Sequence, residues 1–390
     1  MRLASLLART LTAATLAAGG LLTMPATSAH ADAAGTLIAS DGKPDGWHNL
    51  TGGSAVEYWT TRSNGEAVQA SGAMFVPAGQ PPAGGWPIMA WDHGTTGLGA
   101  HCGCQADPGP DVQPSFRRDE DGIMRYFLSK GFAVVAPDYL GLGVFDTGPH
   151  PYLELNTEAS ATIDLVQAAR QARPELSRTW AVSGASQGGH AALGSSSYQL
   201  RTAPDLDFRG TIAIDPASDV EQALPVAGPY IPPIPGEFGE DLDSFFAPIL
   251  VGLRAARPDA QVDSYLTDLG RRVLESIEKD CLPEISARMQ GISIGSLLSR
   301  PLSEGPLPAA LRDYMAVPTR GYDAPILLLV NVTDTTVPSP LHFMLINEFA
   351  AGGVDFRTVF GTGTHTQLNP AMWAAIDEFT NRILATPTRP

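Results

Sequence analysis

Three residues of this chain stand where they could do covalent chemistry: Ser186 in Gly184-Ala-Ser-Gln-Gly188, then Asp334, then His365. A serine hydroxyl is a weak nucleophile at neutral pH. It reacts when a histidine takes its proton and a carboxylate orients that histidine. The reaction open to such a set is acyl transfer: an ester forms on Ser186, and water releases the acid. The oxyanion formed on the way needs two hydrogen-bond donors. The amide of Gln187, next to the serine, is one candidate. The amide of Thr95, in His93-Gly-Thr95, is the other. No cofactor is expected. No metal is expected either, since no His or Cys stands at ligand spacing beside the acidic runs 119–121 and 237–243.

These groups work only if the frame brings them together. A β-branched apolar run ending at Ser183 enters the serine motif, and helix-forming residues 187–199 leave it. G-x-S-x-G between a strand and a helix is the context of a nucleophile elbow, a tight turn that lifts the serine above the sheet. The glycines two residues to either side leave room for strand and helix to close on each other. Asp334 follows the apolar run 325–330, and His365 follows the run 354–360, so both are expected in loops at strand ends. Asp323 and Asp355 precede strands and should lie at the other side of the sheet. Of the eight histidines, only His365 occupies the loop after the last strand. Serine, acid and histidine in that chain order is the α/β-hydrolase order. His93 reads as a structural loop histidine.

The remaining pattern fits that frame. Residues 55–62 and 67–76 read as an antiparallel pair joined at Ser63-Asn-Gly65. Strands follow at 87–91, 132–136, 179–183 and 210–215, separated by helices at 121–130 and 158–173, with 111–116 as loop. Strands alternating with helices predict a mostly parallel sheet, with ligands bound outside the carboxyl ends of its strands. Between 218 and 318 no convincing strand appears. Helical patterns at 242–254, 260–279 and 309–314 carry apolar faces that include Phe245, Phe246, Ile249 and Leu250. A stretch that long is no ordinary connection, and it is expected to form a helical cap over the site with an apolar substrate channel. Helices at 338–349 and 371–384 complete the pattern. The expected division is a signal peptide at 1–31, an α/β core at 32–217, a cap or lid at 218–320, and the rest of the core at 321–390.

Arg2 and Arg9, the apolar run 11–24 and Ala29-His-Ala31 make residues 1–31 an export signal cleaved near Ala31. The mature chain is then expected to be secreted. It keeps 23 basic against 41 acidic residues, a net charge of −18. That argues against nucleic acid or an anionic membrane as partner. No later stretch is long and apolar enough for stable membrane insertion, which leaves only transient contact with a lipid interface. With 44% hydrophobic and 17% charged residues, the chain can build a sizeable core. Three cysteines in an exported chain predict one disulfide. Cys102 and Cys104 are too close to pair easily with each other, so Cys281 is expected to pair with one of them, Cys102 being preferred.

Taken as a set, His93-Gly-Thr-Thr-Gly97 followed by Cys102, Pro137-Asp-Tyr-Leu-Gly-Leu-Gly143, His150-Pro-Tyr152 and Ser183-Gly-Ala-Ser-Gln-Gly-Gly189 resemble the secretory lipase family over about residues 50–385. That resemblance implies an α/β-hydrolase core, a helical cap inserted before the acid-bearing strand, and activity on lipid esters or acylglycerols. It carries the triad onto Ser186, Asp334 and His365. Two stretches depart from the family's pattern: Cys102-Gly-Cys104-Gln, and Asn331-Val-Thr where a glycine is common. The expected activity is therefore that of a lipase or carboxylesterase on apolar acyl esters. The alternatives are a secreted serine aminopeptidase or an acyltransferase on the same fold; a non-catalytic binding protein fits poorly with a complete set of reacting groups.

Overall fold

The computed structural model describes residues 33–106 and 112–387. The expected export signal and its cleavage point near Ala31 lie outside the described residues. Nine strands form one mixed sheet in the order β1-β2-β3-β5-β4-β6-β7-β8-β9. They are β1 (Leu37–Lys43), β2 (Gly53–Thr61), β3 (Ala67–Phe75), β4 (Trp86–Asp92), β5 (Ala133–Pro137), β6 (Leu176–Ala185), β7 (Asp207–Ile214), β8 (Ile326–Asn331) and β9 (Phe356–Gly361). The first three run antiparallel, and β3 joins β5 antiparallel. From β5 to β9 every pairing is parallel.

The composition of the strands accounts for this arrangement. β5, β7 and β8 are buried along their whole length, as parallel strands covered on both faces must be. Successive residues feed opposite layers. Met89 and Trp91 pack with Ile123, Met124 and Phe127 of α1 (Pro114–Ser129). Ile88 and Ala90 pack with Ile163 and Val166 of α2 (Leu155–Ala172) and Ala192 of α3 (Gln187–Thr202).

Between β7 and β8 the described elements are helical: α4 (Val220–Ala223), α5 (Glu237–Ala256), α6 (Asp268–Ile277), α7 (Leu282–Met289), α8 (Ile294–Leu297) and α9 (Leu307–Met315). Phe246, Ile249, Leu250 and Leu253 of α5 form an apolar cluster with Leu274, Ile277, Leu311 and Tyr314. Tyr152, Leu153 and Ala217 from beneath belong to the same cluster. Two helices close the chain, α10 (Ser339–Gly352) and α11 (Pro370–Ala385).

Three local expectations need correction. Residues 114–116 are helix, not loop, because Pro114 takes the first helical position, where its missing N–H costs nothing. The helix expected over 260–279 is shorter. Gln261 adopts φ 53°, and α6 starts only after Thr267, whose side chain caps it by accepting from the Gly270 amide. β1 was not anticipated, since most of its side chains face solvent and give no alternating apolar signal.

Candidate active site

Ser186 links β6 to α3 with φ 59° and ψ −120°, an unfavourable backbone conformation for a side chain with a Cβ, costing about 1–3 kcal/mol. Its neighbours enforce it. A Cβ at Gly184 would strike the carbonyl oxygen of Gly188, and one at Gly188 would strike that of Asp92. Strand and helix therefore close at van der Waals contact, and the half-buried serine projects from the carboxyl edge of the sheet. Its amide is anchored to the Ile214 carbonyl at 2.9 Å.

Asp334 and His365 sit in the turns after β8 and β9. Asp334 Oδ2 accepts from His365 Nδ1 at 2.6 Å, and Oδ1 accepts from the amides of Thr336 and Val337 at 2.9 and 3.1 Å. Burial raises the Asp334 carboxyl, but hydrogen bonds from His342 and His365 outweigh it and hold the group down to about 2. It is an anion throughout the neutral range. The Nδ1–H bond leaves His365 Nε2 as the free lone pair, and that nitrogen has no hydrogen-bond partner among the described residues. Nε2 itself is shielded from solvent, while the side chain as a whole is 15% exposed.

Several supports of this pair were missed from sequence. His342, on α10, places Nε2 3.2 Å from Asp334 Oδ2. Asp215, at the end of β7, accepts from the Thr366 amide at 2.8 Å, fixing the residue after His365. Asp215 also accepts from the amide and side chain of Asn331. Asn331 in turn donates to the Gln367 carbonyl and accepts from the Gly363 amide. The departure at 331 thus ties the acid loop to the histidine loop, work a glycine has no side chain to do.

Gln187 is the first residue of α3, where an amide has no acceptor within its helix. Thr95 follows β4, and its hydroxyl meets Tyr152 Oη at 2.9 Å. The preceding amide, Gly94 N, is taken by Glu120 Oε1 at 2.9 Å. A Cβ at Gly94 would overlap the Phe116 ring, so the chain passes here without a side chain. His93 is buried between the Gly94 and Asp138 carbonyls, a structural role as expected.

Ser186 opens into a cavity of about 270 Å³. Leu224, Ile234, Leu242, Phe245, Ile249 and Leu341 are among its walls, and among the described residues no carboxylate is in its lining. Cys102 is bonded to Cys281, with Cα atoms 5.3 Å apart, which staples the loop after β4 to the start of α7. Cys104 is free and buried, and burial pushes its thiol up to about 12 against the pull of Arg117.

A model of the secretory lipase family matches residues 117–298, a span that includes Ser186 and Gln187 and stops before Asp334 and His365. Among curated proteins, none matches the chain's sequence significantly. Two of the similar solved structures are Candida antarctica lipase A and the rice cell wall degrading esterase LipA from Xanthomonas oryzae. The first has a TM-score of 0.71 at 22% identity, covering 92% of this chain and 84% of that one. The second has a TM-score of 0.67 at 23% identity, covering 90% and 97%. Likeness at these identities establishes the fold, an α/β-hydrolase. Residues 117–298 are thus similar to the secretory lipases, and these likenesses support a carboxylic ester hydrolase.

Proposed function

We propose that the chain is an exported serine esterase of the lipase type, with Ser186 as nucleophile, His365 as general base and acid, and Asp334 holding His365. Its substrates are esters of apolar acyl chains, acylglycerols included. His365 Nε2 takes the Ser186 proton as Oγ attacks the carbonyl carbon. The amides of Thr95 and Gln187 hold the oxyanion. His365⁺ then protonates the departing alcohol, and a water activated by the same nitrogen hydrolyses the acyl-enzyme. Export through a leader cleaved near Ala31 is part of the reading, as is transient contact with a lipid surface. Among the described residues, no helix is long and apolar enough to cross a membrane.

The observation that carries the reading is the elbow serine in the wall of an apolar cavity beneath the helical region. Such a cavity takes an acyl chain and lets its apolar surface leave water. An aminopeptidase would need a carboxylate to hold the substrate's ammonium group, and among the described residues the lining itself offers none. The test is hydrolysis of p-nitrophenyl esters from acetate to palmitate by wild type, Ser186→Ala and Leu242→Trp. Wild type is expected to be active and Ser186→Ala inactive. Leu242→Trp should lose kcat/KM on long chains while keeping it on acetate. Failure on every ester, or full activity in Ser186→Ala, contradicts the proposal.

A further inference from the structure

Behind the serine lies a buried polar cluster that the reaction as written does not use. Glu158 on α2 and His190 on α3 have wholly inaccessible side chains. A carboxylate so placed is costly unless donors surround it. Glu158 has three: Gln187 Nε2 at 2.7 Å and the Leu153 amide at 3.2 Å on Oε1, and His190 Nδ1 at 2.7 Å on Oε2. His190 Nε2 faces the Met315 carbonyl at 2.8 Å. Both ring nitrogens of His190 thus face oxygens, and against the effect of burial the neighbouring Glu158 carboxyl and the Met315 carbonyl raise the ring above its ordinary value. His150 Nδ1 donates to the Leu140 carbonyl at 2.8 Å, which leaves its Nε2 to accept from Gln187 Nε2 at 2.7 Å. Both N–H bonds of the Gln187 side chain are therefore committed.

We propose that Glu158 is a positioning residue of the oxyanion hole, a carboxylate to which both oxyanion donors are referenced. This rests on the roles given above to Ser186, Gln187 and Thr95. Gln187 is tied to Glu158 directly, through its side-chain amide. Thr95 is tied through Tyr152, whose hydroxyl meets the Thr95 hydroxyl and whose chain neighbour Leu153 gives its amide to Glu158. Both ends of this tie need holding. Leu153 has φ 60° and Ser186 φ 59°, conformations that persist only where the surroundings fix them. Glu158 touches neither Ser186 nor the substrate cavity and acts through these neighbours.

The cluster makes a specific demand on substitutions. In Glu158→Gln, the amide oxygen still accepts from Gln187 and Leu153. Its NH₂ donates to Nδ1 of a neutral His190, and His190 Nε2–H still serves Met315. Every hydrogen bond survives and only charge is lost. In Gln187→Met, the backbone amide stays but the tie to Glu158 and His150 goes, with little change in shape. Glu158→Leu removes the reference point.

The experiment measures kcat, KM and Tm on p-nitrophenyl butyrate, with the Ki of a trifluoromethyl ketone that forms a tetrahedral adduct, for these three variants and Ser186→Ala. Gln187→Met and Glu158→Leu are expected to lower kcat about 10- to 100-fold, as a misplaced donor does, with KM within about threefold. Their ketone affinity should fall by the same factor as kcat. Glu158→Gln should keep kcat within about threefold of wild type. Should Glu158→Leu fail to fold, Gln187→Met still decides. Wild-type kcat and ketone affinity in Gln187→Met overturn the proposal, as does a Glu158→Gln that falls as far as Glu158→Leu. An active Ser186→Ala overturns the serine mechanism itself, a separate result.

Discussion

Two histidine–carboxylate pairs lie in this molecule with almost the same bond: His365 on Asp334 at 2.6 Å and His190 on Glu158 at 2.7 Å. What differs is the far nitrogen. His190 Nε2 is spent on the Met315 carbonyl, and the pair is sealed. His365 Nε2 is unspent, and its ring is partly open. A base must keep one lone pair uncommitted, whereas a brace must commit everything. The same two residue types thus become reactive or structural according to one hydrogen bond.

The largest effect on catalysis is expected from removing the free nitrogen or what it serves. Ser186→Ala or His365→Ala should cost at least about 10⁴-fold in kcat, and Asp334→Asn about as much by favouring the wrong tautomer, read by ester hydrolysis, with Tm little changed in Ser186→Ala. The sealed pair should answer in the opposite currency. His190→Leu strands the Glu158 charge and should lose about 3–5 kcal/mol of stability in denaturant unfolding. Its kcat, taken on the folded fraction, should stay far above that of His365→Ala.

The pH dependence of stability sharpens the contrast, because the two signs differ. Asp334 is held below its unfolded value, so its contribution, on the order of 2 kcal/mol, is present above about pH 4 and vanishes as pH falls towards about 2. Burial lowers His190, but the Glu158 charge and hydrogen bond with the Met315 carbonyl outweigh it and raise the ring above 6.5. That contribution is complete below about pH 6.5 and fades as pH rises through the raised value. Unfolding followed against pH should show an acid-side loss that shrinks in His342→Leu and an alkaline-side loss that disappears in His190→Leu. The smallest expected effect on kcat lies outside both pairs. Cys281→Ser should cost about 2–4 kcal/mol and leave kcat nearly unchanged. Cys104 should not react with Ellman's reagent until the protein unfolds.

The two pairs also differ in how far the sequence discloses them. Asp334 and His365 could be picked out because each follows an apolar strand run, and strand ends collect ligands in such sheets. Glu158 and His190 lie on helices 32 residues apart in the chain. A glutamate on a helix reads as a solvated face, and nothing local says that α2 and α3 turn these residues towards each other. Asn331 looked like a departure at a glycine position, and only its four hydrogen bonds to Asp215, Gly363 and Gln367 explain it. The central strands were legible because burial on both faces demands unbroken apolar runs. β1 was not, because its exposed side chains carry no such demand. The start of α1 was not legible as an apolar pattern, because Arg117 to Asp121 are all charged and only Pro114 marks the first turn.

The central claim is that Ser186 carries the acyl group. Mass spectrometry of the mature protein, quenched during turnover of p-nitrophenyl butyrate, addresses it directly. One butyryl group per chain is expected on the peptide containing Ser186, longer-lived in His365→Ala if that variant is first acylated by an activated ester, and absent in Ser186→Ala. Steady hydrolysis with no adduct on Ser186, or with the adduct on another residue, would contradict it.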